Sequence, residues 1–167
     1  MNLFPSFAPR HPMKAWAACA LLLSLIAAPL ASAQDAPTAL RVTYLVYSGR
    51  PNPTLTVTDP ATIRSLQSQL SSALATGAGV PSKELPPVLG YNGIRVEAVG
   101  QDGAPQYTVK GRFLRSETQA DAKAAATVAA SASTSASLVE AQLLKLAENQ
   151  GVLSAAALAN ARKVSGK

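Results

Sequence analysis

The chain has 167 residues, a formal charge of +6 and 48% hydrophobic residues, with a single Cys, His and Trp. All three of those residues, His11, Trp16 and Cys19, fall in an N-terminal stretch that reads as an export signal. Once that stretch is removed, the chain has no thiol and no imidazole. Disulfides, Cys and Ser-His-Asp nucleophiles, and thiolate or imidazole metal sites are then excluded.

The export signal is read from its layout. Lys14 precedes Ala15 to Leu30, which is apolar and uncharged, and Ala31-Ser32-Ala33 supplies small residues at the cleavage positions. The apolar run is shorter than the roughly 20 residues a bilayer-spanning helix needs. The expectation is therefore a signal peptide over residues 1–33, cleaved after Ala33, with translation starting at Met13. Residues 1–12 hold three prolines and add nothing to the signal. Cys19 reads as a small apolar residue within the run, because Leu21, Leu22 and Leu23 continue it. Loss of Arg10 and Lys14 takes the charge from +6 to +4. The expected location is the periplasm or outside the cell, with no membrane span left after cleavage.

After the polar start of the remaining chain, Leu40 to Tyr47 predicts a strand, with Leu40, Val42, Tyr44 and Val46 on one face. Ser48-Gly49-Arg50-Pro51-Asn52-Pro53 is dense in turn formers, and Thr54 to Thr58 alternates as a second strand. Asp59 and Pro60 predict a helix start, as N-cap and first helical residue. Ile63, Leu66, Leu70 and Leu74 form its apolar stripe, and Gly77 is its expected stop.

Residues 79–87 hold three prolines and predict a loop. Ile94 to Val99 predicts a strand with Ile94, Val96 and Ala98 inward and Arg95 and Glu97 outward. A turn centred on Asp102-Gly103 leads to a return strand over Gln106 to Leu114. In that strand Tyr107, Val109, Gly111 and Phe113 share one face, and Lys110 and Arg112 the other. Glu97 is expected to pair with a basic residue across this hairpin.

Residues 117–137 are rich in Ala and Ser and predict a linker or a weak helix beginning near Asp121. Ser137-Leu138-Val139-Glu140 fits a capping box, so residues 138–167 predict one or two helices packed on the core, with Gly151 as a stop. The expected fold is α+β: a four-stranded antiparallel sheet in ββαββα order, helices on one face, with residues 34–116 as its core.

Four segments are candidate sites. Arg50 and Asn52 lie in the rigid Pro-rich loop and either face a partner or bond the fold's own backbone. Tyr91 and Asn92, between Gly90 and Gly93, either form a ligand surface or a turn with Tyr91 packed on the sheet. Arg95, Lys110 and Arg112, followed by Arg115, make a basic patch or a solvated sheet face. Asp59, Glu84, Glu97, Asp102 and Glu117 are the carboxylates a hydrolase without His or Cys would use, but no pair of them sits in a recognisable frame. No phosphate-loop, Gly-x-Ser-x-Gly or Ca²⁺-loop pattern occurs, so no catalytic residue, cofactor or metal is expected. The mild charge and sparse aromatics argue against nucleic acid.

Val46 to Pro53, with Leu89-Gly90-Tyr91-Asn92-Gly93-Ile94, resembles a group of small uncharacterised proteins that share a Ser-Gly-Arg-Pro-Asn-Pro loop and a Leu-Gly-Tyr-x-Gly segment. The likeness covers about residues 40–115. Thr54-Leu55 departs from the aromatic residue that often follows the loop in that group. The resemblance implies a common domain and no activity, and it implies that the two segments meet, with Arg50 near Tyr91. The expected function is that of an exported, non-catalytic binding or accessory envelope protein. Its partner would be another envelope or secreted protein or an anionic surface. The alternatives are a secreted inhibitor or effector acting through the Pro-rich loop, and a carboxylate-only hydrolase.

Overall fold

The computed structural model describes residues 37–76, 89–118 and 127–166. The expected export signal, the loop at 79–87 with Glu84, Gly77 and Asp121 lie outside these residues.

Nine elements follow one another in the described chain. They are β1 (Leu40–Tyr44), β2 (Thr54–Val57), α1 (Pro60–Ala75), β3 (Ile94–Ala98), β4 (Gln106–Lys110), β5 (Phe113–Thr118), β6 (Thr127–Ala132), α2 (Thr134–Asn149) and α3 (Ala155–Ser165). The class is α+β, but the sheet has six strands instead of the expected four, in the spatial order β2-β1-β3-β4-β5-β6. Every neighbouring pair is antiparallel.

Two local events add the extra strands. The first is at Gly111, where φ is +58° and the expected single strand 106–114 folds back. Lys110 pairs with Phe113, so Gly111-Arg112 is a two-residue turn with glycine in its first central position, as type II′ hairpins require. The turn also changes which residues face inward. Phe113, expected inside with Tyr107 and Val109, is on the open face, and Leu114 and Ser116 are buried in its place.

The second event is β6. Thr127 to Ala132 was expected as linker or weak helix, yet it pairs with β5 in continuous register from Thr118↔Thr127 to Phe113↔Ala132. Pairing with a formed strand overrides the helical preference of alanine. The small side chains also let α1 approach. Ser131 Oγ donates to the Ala73 carbonyl of α1 at 2.8 Å, and Ser133 Oγ to the same oxygen at 3.4 Å.

The helices cover one face of the sheet, with α1 over β5 and β6, and α2 over β4 and β5. Asp59 caps α1 as the sequence implies, accepting from Thr62 N at 2.7 Å and Thr62 Oγ1 at 2.6 Å. Those two hydrogen bonds hold the Asp59 carboxyl below its ordinary range. Ile63, Leu66 and Leu70 are buried and Leu74 is half-buried. The N-cap of α2 is Ser133, not Ser137, and the helix starts four residues earlier than the capping-box pattern places it. Its stripe, Val139, Leu143, Leu144 and Ala147, joins Leu40, Val42, Tyr44, Ile94, Val96, Val109 and Leu114 in a continuous core. Leu158 and Ala161 of α3 complete it.

Candidate functional site

One end of the sheet gathers Arg50, Asn52, Tyr91, Asn92, Lys110 and Arg112, with Arg95 in the second position of β3. There β1, β4 and β6 end and β2, β3 and β5 begin. Beyond Tyr44 the chain continues to pair with the segment before β3: Leu45 N donates to Gly93 O at 3.0 Å, and Asn92 N to Leu45 O at 2.7 Å. From the other side, Asn52 Oδ1 accepts from Val46 N and Tyr47 N, both at 2.9 Å, and Tyr44 N donates to Pro53 O. Residues 44–47 are thus held between the Pro-rich loop and the Gly90–Gly93 segment, so the two segments gather around the same short stretch.

The side chains within this frame differ in role. Asn52 is occupied by the loop's own backbone and shapes the turn. Arg50 is exposed and lies over the ring of Tyr47, with its guanidinium carbon 3.7 Å from the ring centroid. The ring that Arg50 covers is that of Tyr47, which lies in the stretch shared by the two segments. Tyr91 is fully buried and offers no open stacking surface. Asn92 Nδ2 donates to Gly90 O at 3.1 Å, within its own turn.

Arg95, Lys110 and Arg112 lie on or beside the sheet face that none of the described helices covers. Across it, Thr54, Thr43, Arg95, Thr108, Arg115 and Ala130 stand in one row. Because Arg95 pairs with Thr108, Lys110 is its diagonal neighbour at about 7–8 Å, a like-charge pair. Arg112 is exposed in the β4–β5 turn, and its carbonyl accepts from Ser133 N. Among the described residues, Arg50, Arg95, Lys110 and Arg112 form no ion pair.

The acidic residues of the sheet lie toward its other end. Glu97 accepts from Arg41 at 3.1 Å and from Gln106 at 2.9 Å, so its ionic partner is on β1 and not across the β3–β4 hairpin. Glu117 pairs with Arg115 at 2.6 Å. Asp59 follows β2, and Asp102 lies in the β3–β4 turn. The described sheet therefore carries unpaired positive charge at one end, and negative charge either partnered or at the other.

Behind the basic end lies a buried polar network that sequence inspection missed. Glu140, 1% exposed, accepts from Tyr91 Oη at 2.5 Å and from Gly111 N at 2.9 Å. The capping-box reading placed Glu140 at a helix start. Its i−1, i+3 and i+4 apolar neighbours, Val139, Leu143 and Leu144, were the available sign that it faces inward. A groove of about 440 Å³ between α2 and α3 opens over Glu140, flanked by Lys145, Glu148 and Arg162. Arg162 donates to Glu148 across its mouth. Among the described residues there is no cluster of His, Cys, Asp and Glu suited to a metal, and no helix long and apolar enough to cross a membrane.

Two buried tyrosines brace this end. Tyr44 Oη donates to the Leu143 carbonyl at 2.8 Å. Burial raises the pKa of the Tyr44 phenol; burial and the neighbouring Glu140 raise that of Tyr91. Below a pH of about 10 both phenols are protonated whether the chain is folded or not, and stability is full. Above it the unfolded chain releases these protons and the folded chain does not. Stability should fall by about 1.4 kcal/mol per pH unit for each tyrosine. Urea unfolding between pH values of about 9 and 12 should show this loss, shallower in Tyr44→Phe and Tyr91→Phe. An alkaline slope unchanged by both substitutions would contradict the assignment.

No protein-family model, curated protein or solved structure matches this chain.

Proposed function

We propose that the protein is an exported, non-catalytic binding module that takes an anionic partner at the basic end of its sheet, in the envelope or outside the cell. The observation that supports this reading is the group Arg50, Arg95, Lys110 and Arg112, unpaired among the described residues and facing away from the helices or lying in exposed turns. Like charges brought within one Debye length of each other, about 8–10 Å at ordinary salt, oppose folding unless a partner neutralises them. Glu97 and Glu117 pair with Arg41 and Arg115, and among the described residues neither forms an ion pair with Arg95 or Lys110. The layout of residues 14–33 supports export.

Heparin, a soluble polyanion, is the first probe. The triple variant Arg95→Ala, Lys110→Ala, Arg112→Ala should bind it roughly 100-fold more weakly, at about 1 kcal/mol per basic group. Its melting temperature should be equal or higher, since it relieves repulsion. Protein recovered from its producing cell should begin at Gln34. Unchanged heparin affinity in the triple variant would remove the basic end as the binding surface.

A further inference from the structure

The same end of the molecule carries exposed apolar side chains, and a soluble polyanion has no use for them. Leu89, 95% exposed, lies two residues before the buried Tyr91. Phe113, 45% exposed, is paired directly with Lys110 across the β4–β5 hairpin and follows Arg112. Leu138, 66% exposed, stands in the second turn of α2, the helix whose N-cap residue Ser133 bonds to Arg112. Of the four large hydrophobic residues exposed in the described chain, only Val128 lies away from this end.

We propose that this end docks on an anionic lipid surface, with Leu89 and Phe113 entering the headgroup layer and Arg50, Arg95, Lys110 and Arg112 meeting lipid phosphates. The inference rests on the anionic-partner reading above and narrows it to a lipid. Two signals are needed for stable attachment to a bilayer surface, apolar insertion and attraction to negative headgroups. Both are present here, in the loops, turns and strand ends of one end of the sheet. The Tyr44, Tyr91 and Glu140 hydrogen bonds hold that end in place from behind. A rigid platform enters the interface with little ordering of its own. Arginine suits the polar ring of such a site, because its planar fork pairs with phosphate oxygens.

Hydrogen exchange of the full chain tests the proposal. Phosphatidylglycerol vesicles should slow exchange in peptides covering 89–93 and 110–114, and leave the α1 peptides unchanged. Phosphatidylcholine vesicles should protect neither. The apolar stretch 15–30, where retained, tethers the chain to both vesicle types alike, so protection localised to the sheet end reports docking there. Leu89→Ser with Phe113→Ser should weaken phosphatidylglycerol binding at least tenfold and change heparin affinity less than twofold. If heparin protects these peptides and phosphatidylglycerol does not, lipid docking is overturned and the anionic-partner reading stands. Serine variants that protect on vesicles as well as the parent chain also overturn it. Protection by neither heparin nor phosphatidylglycerol removes both readings.

Discussion

Glu140→Ala is expected to lower stability by about 2–5 kcal/mol, whereas Glu140→Gln should keep most of it. The alanine leaves a cavity under α2 and strips Gly111 N–H of its acceptor and Tyr91 Oη of its closest partner. An orphaned buried donor costs about 1–3 kcal/mol, and the cavity adds to that. Glutamine has the same length. Its amide oxygen accepts from Gly111, and its NH₂ donates to Tyr91 once the phenol rotates to accept. The comparison therefore separates the geometry of the carboxyl from its charge. The charge shows in a second measurement: without the negative neighbour, Tyr91 holds its proton less tightly in the folded chain, so the glutamine variant should lose less stability at alkaline pH than the parent chain. Chemical denaturation of both variants at neutral and alkaline pH checks the pair. Equal loss in both would mean that the charge itself is required.

Gly93→Ala should cost about 2–6 kcal/mol and produce little soluble protein. Gly93 has φ of +107°, a region side chains rarely adopt. A methyl there would lie 2.6 Å from the Val109 carbonyl oxygen, a backbone atom of β4 with no freedom to step aside. Moving β4 would disturb its pairing with β3 at Ile94↔Val109. Gly49→Ala is the matched control, since its φ of +81° is also strained but nothing lies within 4 Å of the added carbon. The difference between the two melting temperatures isolates the close approach from the backbone conformation.

The sequence reveals those parts of the fold that are determined locally. Asp59 with Pro60, the alternation in β1 and β3, and the Ile63-Leu66-Leu70 stripe each place an element by themselves. The errors arise where a distant partner decides. Gly111 reads as one small residue in a strand until its positive φ turns the chain, and that turn carries Phe113 to the open face. Thr127 to Ala132 has no strand pattern of its own and takes its conformation from β5 and α1. Glu140 matches a surface capping pattern and is buried by Tyr91, which lies 49 positions earlier in the chain. Among the site residues, the basic group was visible as residue types. Its concentration at one end depends on strand register, and a single sequence does not fix register beyond each hairpin.

The place of β1 in the sheet has a kinetic consequence. β3, β4, β5 and β6 form a meander whose neighbours are close in sequence, so each pairing closes a short loop. β1 enters between β2 and β3, and joins Leu40 to Ala98 and Tyr44 to Ile94 across the whole of α1. Closing a long loop carries a larger entropic penalty, so this pairing belongs to the slow part of folding. Only when it has formed do Leu45 and Gly93 bond, bringing the Arg50 loop beside Arg95 and Lys110. An extended chain therefore has its basic residues scattered along it, and the meander by itself gathers Arg95, Lys110 and Arg112. The β1–β3 closure then adds Arg50 to that group, so the full positive end exists only in chains that have made this long-range pairing.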